Sequence, residues 1–450
     1  MMNWNSLISD KRFGKEENHR ASGERRTEFL RDYDRLIFSA PFRRMQNKTQ
    51  VFPLPGSIFV HNRLTHSLEV GCVGRSLGTD VACELMARHG EALPSAFPEL
   101  GSIVSAACLA HDMGNPPFGH SGEKAIRSYF SEGKGCNLPR GEAGNPSVID
   151  DRTWTDLTHF DGNANTLRLL THQFEGRRKG GFVLTYSTLA SVVKYPYSST
   201  LDKGKSKFGF FESGRQSHER IATALGIPFA AGPEGTQAVR YPLVYLVEAA
   251  DDICYEVMDI EDAFKLRILT YEETQELLLG FFETDERKSL MEHYPEGTDQ
   301  GDRIAFYRSC AINALERACV DIFVANEDAI LAGTFTGSLI SHLPRRLAEG
   351  YHRCEKVARG RIYCSKEVTD IDIAGYHIIY TLLELMIDAV MAPEKAYSQL
   401  LLGQVSAQYQ MQAPTLGERI RAVIDYLAGK RDVYALVLCR RISGRSLPAI

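Results

Sequence analysis

Residues 102–123 read SIVSAACLAHDMGNPPFGHSGE and carry two imidazoles and two carboxylates close together: His111 beside Asp112, then His120 and Glu123. Ile103 to Ala110, eight residues without charge, precede the first pair and read as a buried helix. Gly114, Asn115, Pro116, Pro117 and Gly119 form a turn after it, because Gly and Pro do not continue a helix. The second pair then opens another helix. Polar groups delivered by a buried helix are costly unless something pairs them. A metal ion is the simplest partner.

Two further candidates complete a ligand set. His66 stands near the start of a helical stretch in which Leu64, Leu68, Cys72, Val73, Leu77, Val81 and Leu85 recur at three- and four-residue steps. Asp251 lies in YPLVYLVEAADDICYEVMDIEDAFKLRIL, a strongly apolar helix that also carries Asp252, Tyr255 and Asp259. His66, His111, Asp112 and Asp251 thus sit on, or end, separate apolar helices, apart from the adjacent pair. Neighbouring helical residues point about 100° apart, yet both reach one ion lying over the end of their helix. The mixed imidazole and carboxylate set suits Mn, Fe, Ni, Zn or Mg, with waters completing the shell. One such histidine alone would be read as a hydrogen-bonded core residue; the combined pattern favours a metal.

The elements that must hold these groups are helices. Glu28 begins one, and others are expected through HFDGNANTLRLLTHQF, from about Ile304 to Leu331, from Asp370 to Met391 and from Leu416 to Leu427. Residues 131–152, rich in Gly, Pro and charge, read as a loop, and residues 272–300 are acidic and variable. Strand-like alternation is confined to Tyr351–Val357 and Lys179–Thr185 at most. The fold class is all-α: one domain spanning 1–450 with insertions, although length alone would allow two or three and a split near 270–300 is the alternative. An apolar fraction of 44% and a charged fraction of 24% are those of a soluble globular protein. The net charge of -5 gives no global pull toward nucleic acid or anionic membrane. No apolar run approaches the roughly 18 residues of a spanning helix, and MMNWNSLISDKRFGKEE lacks a signal-peptide core. Ten cysteines without C-x-x-C pairing point to reduced thiols and a cytoplasmic location.

The segments RDYDRLIFSAPFRRMQNKTQVFP, RLTHSLEV, HDMGNPPFGHSGE, FDGNANTLR, LVEAADDICYEVMDIEDA and IDIAGYHII resemble the successive motifs of the deoxyguanosine triphosphate triphosphohydrolases, within the HD-domain phosphohydrolase superfamily. They are dispersed from about residue 27 to residue 380. An H…HD…D alone would fit cyclic-nucleotide phosphodiesterases or alarmone hydrolases equally; HDxGNPPFGHxGE would not.

The resemblance implies that His66, His111, Asp112 and Asp251 ligate one divalent ion per chain, Mn2+ or Mg2+, with Ni, Fe, Co and Zn as other options. It implies an HD core over about 60–270 and a helical portion over about 300–450 that completes the nucleotide pocket and the oligomer contacts. The family cleaves a deoxynucleoside triphosphate between the 5′ oxygen and the α-phosphorus, releasing deoxynucleoside and intact triphosphate. By similarity His120 moves a proton, with Glu123, three residues on, holding its imidazole in one tautomer. Arg63, Asn163, Lys194 and Lys207 match phosphate contacts, and Gln50 matches a residue that hydrogen-bonds the 3′ hydroxyl. Tyr255 and Asp259 follow Asp251 by four and eight residues on one helical face, where the tyrosine leaves no room for a 2′ hydroxyl. Tyr363 and Asp372 match an aromatic platform and a carboxylate near guanine. A homo-oligomer, a hexamer, and single-stranded DNA binding are further implications, the latter with RKGGF and KRDVYALVLCRRISGR as basic patches. The competing readings are a broader dNTP triphosphohydrolase activated by a second nucleotide, and a regulatory or nucleic-acid-binding HD protein.

Overall fold

A computed structural model describes residues 1–17, 25–52, 60–201, 207–229, 237–295 and 297–446. The chain folds almost wholly into helices, and no sheet occurs among the described residues. Extended segments meet there only as isolated bridges, such as Arg12 with Thr185 and Thr49 with Asn62. The all-α expectation holds.

The helix Leu100–Ala110 lies at the centre, with Ile103, Val104, Ala106, Ala107, Cys108, Leu109 and Ala110 all buried. A helix apolar on every side must be surrounded. Its nearest cover is Arg63–His89, and glycines let the two backbones approach. A Cβ added at Gly74 would stand 2.5 Å from the Cys108 sulfur, and one at Gly78 would stand 2.9 Å from Gly101 Cα. The buried stripe of this outer helix therefore runs through Arg63, His66, Val70, Gly74, Leu77 and Val81. Leu68 and Cys72, which periodicity assigns to that face, are both exposed. Asn62 caps the helix, accepting from Leu64 and Thr65 N–H, while the Thr65 hydroxyl accepts from Asn62 N–H. That cap fixes the first turn and so the direction of Arg63 and His66. Glu28–Ile37, Tyr186–Val192 and Val244–Lys265 cover the remaining sides.

A second apolar cluster joins Phe118, Ile126, Tyr129 and Phe160 to Ile379, Leu383, Ile387, Ile420 and Val423. The helices Gly119–Ser131, Lys366–Met391, Leu416–Ala428 and Asp432–Ile442 build it. Contrary to the expectation that no run reaches this length, Lys366–Met391 is long and apolar enough to cross a membrane by length and composition. Half of its apolar window is buried inside the protein.

Several expectations about elements need correction. Tyr351–Val357 is not a strand but the end of the helix Arg345–Val357. Its buried positions, Gly350, Cys354 and Ala358, step by four residues. Residues 179–185 pair only at Thr185, because Gly180, Gly181 and Val183 adopt φ of 84°, 62° and 56°, outside the extended region. Within the acidic 272–300 stretch run Tyr271–Leu279 and Thr284–Glu292. The expected long helix breaks at Asn326 into Gln300–Ala325 and Glu327–Ala332. All ten cysteines are free.

Candidate active site

The four candidate ligands converge. Nε2 of His66 and Nε2 of His111 stand 3.1 Å and 3.4 Å from Oδ1 of Asp251. His111 Nε2 is 3.8 Å from Asp112 Oδ1, and the donor atoms of His66, His111 and Asp112 all lie within 4.8 Å of one another. Whether they suit a cation is decided by His111. Its Nδ1 lies 2.6 Å from the Cys108 carbonyl and must donate to it, so the lone pair of the neutral ring is on Nε2. That Nε2 is buried and has no hydrogen-bond partner among the described residues. A buried acceptor nitrogen facing two carboxylates fits a divalent ion. Without one, burial lowers the His111 pKa, but Asp112 and Asp251 outweigh burial and push it up to about 9.

Asp112 is oriented by two donors. Arg63 Nη1 donates to its Oδ2 at 2.5 Å, and the Asn115 side-chain amide donates to its Oδ1 at 2.5 Å. Burial favours the neutral acid, yet Arg63 and His111 hold this carboxyl down at about 2, so it stays ionised. Phe118 lets the turn close at φ 61°, a left-handed conformation that costs a non-glycine residue energy. Gly119 follows at φ 54°, where a Cβ would meet Arg63 Nη2 at 2.6 Å. The turn and the arginine therefore share one tightly filled space.

His120 and Glu123 lie on the first turn of Gly119–Ser131, with Nδ1 3.1 Å from Oε2. The His120 side chain is 71% exposed and opens on a cavity, whereas that of Glu123 is 1% exposed. Burial alone would raise the Glu123 pKa. The bond from His120, the charge of Lys207 at 3.5 Å and the bond from Gly162 N–H at 2.7 Å lower it to about 2. Glu123 is therefore a permanent anion fixing the imidazole behind its reactive edge. Gly162 has to be glycine, since a Cβ there would overlap the Asn115 amide oxygen.

The cavity has a volume of about 310 Å³. Gln50, Arg63, His111, Asp112, His120, Asn163, Lys194, Lys207, Asp251 and Tyr255 line it. His66 stands behind Asp251, with its ring 6.4 Å from that of Tyr255. Glu123, Asp259, Tyr363 and Asp372 also fall outside this lining. Asp259 is buried and accepts from the Tyr363 hydroxyl at 2.7 Å. Burial pushes its carboxyl up to about 8. Tyr363 stacks at a tilt 5.9 Å from Tyr255, extending the wall from beneath. Asp372 is exposed and accepts from the Ser121 hydroxyl at 2.5 Å.

Sequence reasoning passed over Asn115, Tyr195, Glu248 and Asp252, which also line the cavity. Glu248 is recoverable from periodicity, being three residues before Asp251 on one helix. It stands 3.4 Å from Lys194 and accepts from Arg240 at 2.6 Å. Asp252, one position beyond Asp251, lies 4.0 Å from Lys194, and burial pushes it up to about 7. Tyr195 lies in a loop, where no period identifies it. A larger cavity of about 480 Å³ lies across the 113–118 turn, lined by Arg35, Arg44, Lys48, Arg177 and Arg178. The His–Asp cluster opens only on the smaller one.

A helical shell holding H…HD…D donors over a cavity lined by Arg63, Lys194 and Lys207 defines the HD class, and residues 63–144 match the HD domain family. The relatives resolve the family further. A deoxyguanosinetriphosphate triphosphohydrolase-like protein of Pseudomonas aeruginosa is 38% identical over 472 residues, covering 100% of both chains. One from Synechocystis sp. is 36% identical, covering 99% of this chain and 100% of its own. The deoxyguanosinetriphosphate triphosphohydrolase of Yersinia enterocolitica is 27% identical, with 96% of each chain covered. The chain belongs to the deoxyguanosinetriphosphate triphosphohydrolase family of the HD superfamily.

Proposed function

We propose that this phosphohydrolase converts dGTP to deoxyguanosine and inorganic triphosphate, using one divalent ion held by His66, His111, Asp112 and Asp251. One observation carries the reading. A histidine backed by a buried carboxylate opens on the same cavity as the converging His and Asp donors, with Lys194, Lys207 and Arg63 around it. A bound divalent ion supplies positive charge against the phosphate oxygens and favours deprotonation of a nearby water. Lys194, Lys207 and Arg63 bind the triphosphate, and Asn163 donates to it. Glu123 keeps His120 in the tautomer with the proton on Nδ1, so that Nε2 is free to take or return a proton at the reacting oxygen. Gln50 and Tyr255 hold the sugar, the tyrosine ring filling the space that a 2′ hydroxyl would need. Asp259 and Tyr363 brace that ring from below. Asp372 reads the guanine edge, on a nucleotide that extends past the cavity rim. Mn2+ and Mg2+ are the ions we favour, on the mixed nitrogen and oxygen donors.

We read the chain as a single functional unit, since the second apolar cluster reaches from the His120 helix to the C-terminal helices. Assembly as a hexamer and single-stranded DNA binding rest on the family resemblance, and a cytoplasmic location on the cysteine usage. Exposed Tyr397, Leu400 and Val433 are compatible with subunit contacts. A second reading, a broader dNTP triphosphohydrolase activated by another nucleotide, is favoured by the arginine-lined 480 Å³ cavity. A panel of dNTPs and NTPs with Mn2+ or Mg2+, with products separated by ion exchange, tests both readings. Deoxyguanosine and triphosphate from dGTP alone support the first. Turnover of other dNTPs only when a second nucleotide is present supports the second, and orthophosphate or pyrophosphate as primary product refutes both.

A further inference from the structure

Lys48 has no part in the chemistry described above, yet it is 3% exposed and sits at the back of the metal-ligand turn. Its ammonium donates to the Asn115 carbonyl at 2.5 Å and to the Ala428 carbonyl at 3.0 Å. Ala428 is the last residue of Leu416–Ala428, where carbonyls left without intrahelical partners attract a cation. The neighbouring Asp432 makes the complementary link. Its carboxylate accepts from Thr49 N–H at 2.7 Å and from Phe118 N–H at 3.0 Å. One cation and one carboxylate thus fasten residues 115–118 to the C-terminal helices, across more than 300 residues of chain in the case of Phe118 and Asp432.

The chemistry lies one bond further along. Asn115 places its side-chain amide on Asp112 Oδ1 at 2.5 Å, and Asp112 is a member of the convergent donor cluster. A carboxylate left to rotate binds an ion less well than one whose second contacts fix it. Keeping a buried ammonium on two carbonyls is costly unless the contact is satisfied, and here two acceptors satisfy it. A Met or Leu at this position would fill the same space without that demand.

We propose that Lys48 is a positioning residue for the ion: by tying the Asn115 carbonyl to the end of the 416–428 helix, it sets the Asn115 amide and through it the orientation of Asp112. The inference rests on reading Asp112 as a metal ligand. The C-terminal helices then support the metal centre although they contribute no ligand.

The test uses the full-length protein and titration with Mn2+, following free Mn2+ by electron paramagnetic resonance, with melting temperature in parallel. Lys48→Met is expected to weaken Mn2+ binding about tenfold to a hundredfold, the range for loss of an outer-sphere support. Asn115→Ala is expected to do the same, and the double variant to lose little more than either single one, because both act on one path. Mn2+ affinity unchanged in Lys48→Met, with only a lower melting temperature, would reduce Lys48 to a structural tie and overturn the proposal. So would additive losses. Should Lys48→Met not fold, Asn115→Ala alone decides, since intact affinity there breaks the route that runs from the Lys48 side chain through Asn115 to Asp112. Asp112→Asn separates the two readings. If it binds Mn2+ as the wild type does, the ligand assignment fails; if it alone loses Mn2+, only the positioning role does.

Discussion

Replacing Glu123 by Gln probes the proton-handling half of the site while leaving the metal donors alone. The wild-type carboxylate is held near pKa 2 against an ordinary value of 4.5, despite burial. The bonds and charges that lower it therefore stabilise the native state. Because the folded-state value is the lower one, this stability is fully present above about pH 4.5 and is lost as pH falls through about 2. Glu123→Gln should therefore melt below wild type at pH 7, and the gap should narrow as pH is lowered toward 2. The catalytic effect is larger in consequence. An amide at this position can satisfy Gly162 N–H through its oxygen, but its NH2 group then faces His120 Nδ1 as a donor. That arrangement turns the imidazole to the wrong tautomer, with its proton on Nε2 toward the substrate. The expected loss in kcat is about 10²- to 10⁴-fold, with bound metal unchanged. Steady-state release of triphosphate at saturating dGTP measures it, with metal content checked by elemental analysis. A folded, metal-loaded Glu123→Gln with kcat within about threefold of wild type would refute the orienting role.

Asp251→Ala removes the oxygen that both His66 Nε2 and His111 Nε2 approach. It should lose the ion together with activity, and full metal occupancy in this variant would remove Asp251 from the ligand set. Tyr255→Ala should open space beside the sugar and lower the ratio of kcat/KM for dGTP over GTP; an unchanged ratio would place sugar selectivity elsewhere. Asp372→Ala should lower kcat/KM for dGTP more than for dATP. Guanine offers N1–H and an amino group to a carboxylate, whereas adenine leaves that acceptor unpaired, a difference of about 1–3 kcal/mol. Equal losses would mean that Asp372 serves only Ser121.

The parts legible in the sequence were those written in local periodicity. His111 and Asp112 end an apolar run, and Tyr255 follows Asp251 by one helical turn, so both relations survive folding unchanged. The gap between Leu64 periodicity and the true stripe of Arg63–His89 shows where hydrophobicity misleads. Close helix packing there selects glycine at 71, 74 and 78, and glycine carries no apolar signal. Asp372 and Tyr363 were placed through a turn and a remote helix, whose orientation depends on packing against Gly119–Ser131. Lys48 and Asp432 were invisible for a different reason. Their partners are main-chain atoms of Asn115, Ala428, Thr49 and Phe118, and a backbone carbonyl or N–H is the same in every residue. The larger, arginine-lined cavity likewise gathers Arg35, Arg44 and Arg177 from segments that no spacing relates.

In the proposed reaction water attacks the α-phosphorus of a deoxynucleoside triphosphate in the 310 Å³ cavity, with scission between that phosphorus and the 5′ oxygen. Hydrolysis of dGTP by the Mn2+-loaded protein in water enriched in oxygen-18 tests it most directly, with mass spectrometry of both products. One labelled oxygen is expected in the inorganic triphosphate and none in deoxyguanosine. Label in the nucleoside, or label appearing first in orthophosphate or pyrophosphate, would contradict it.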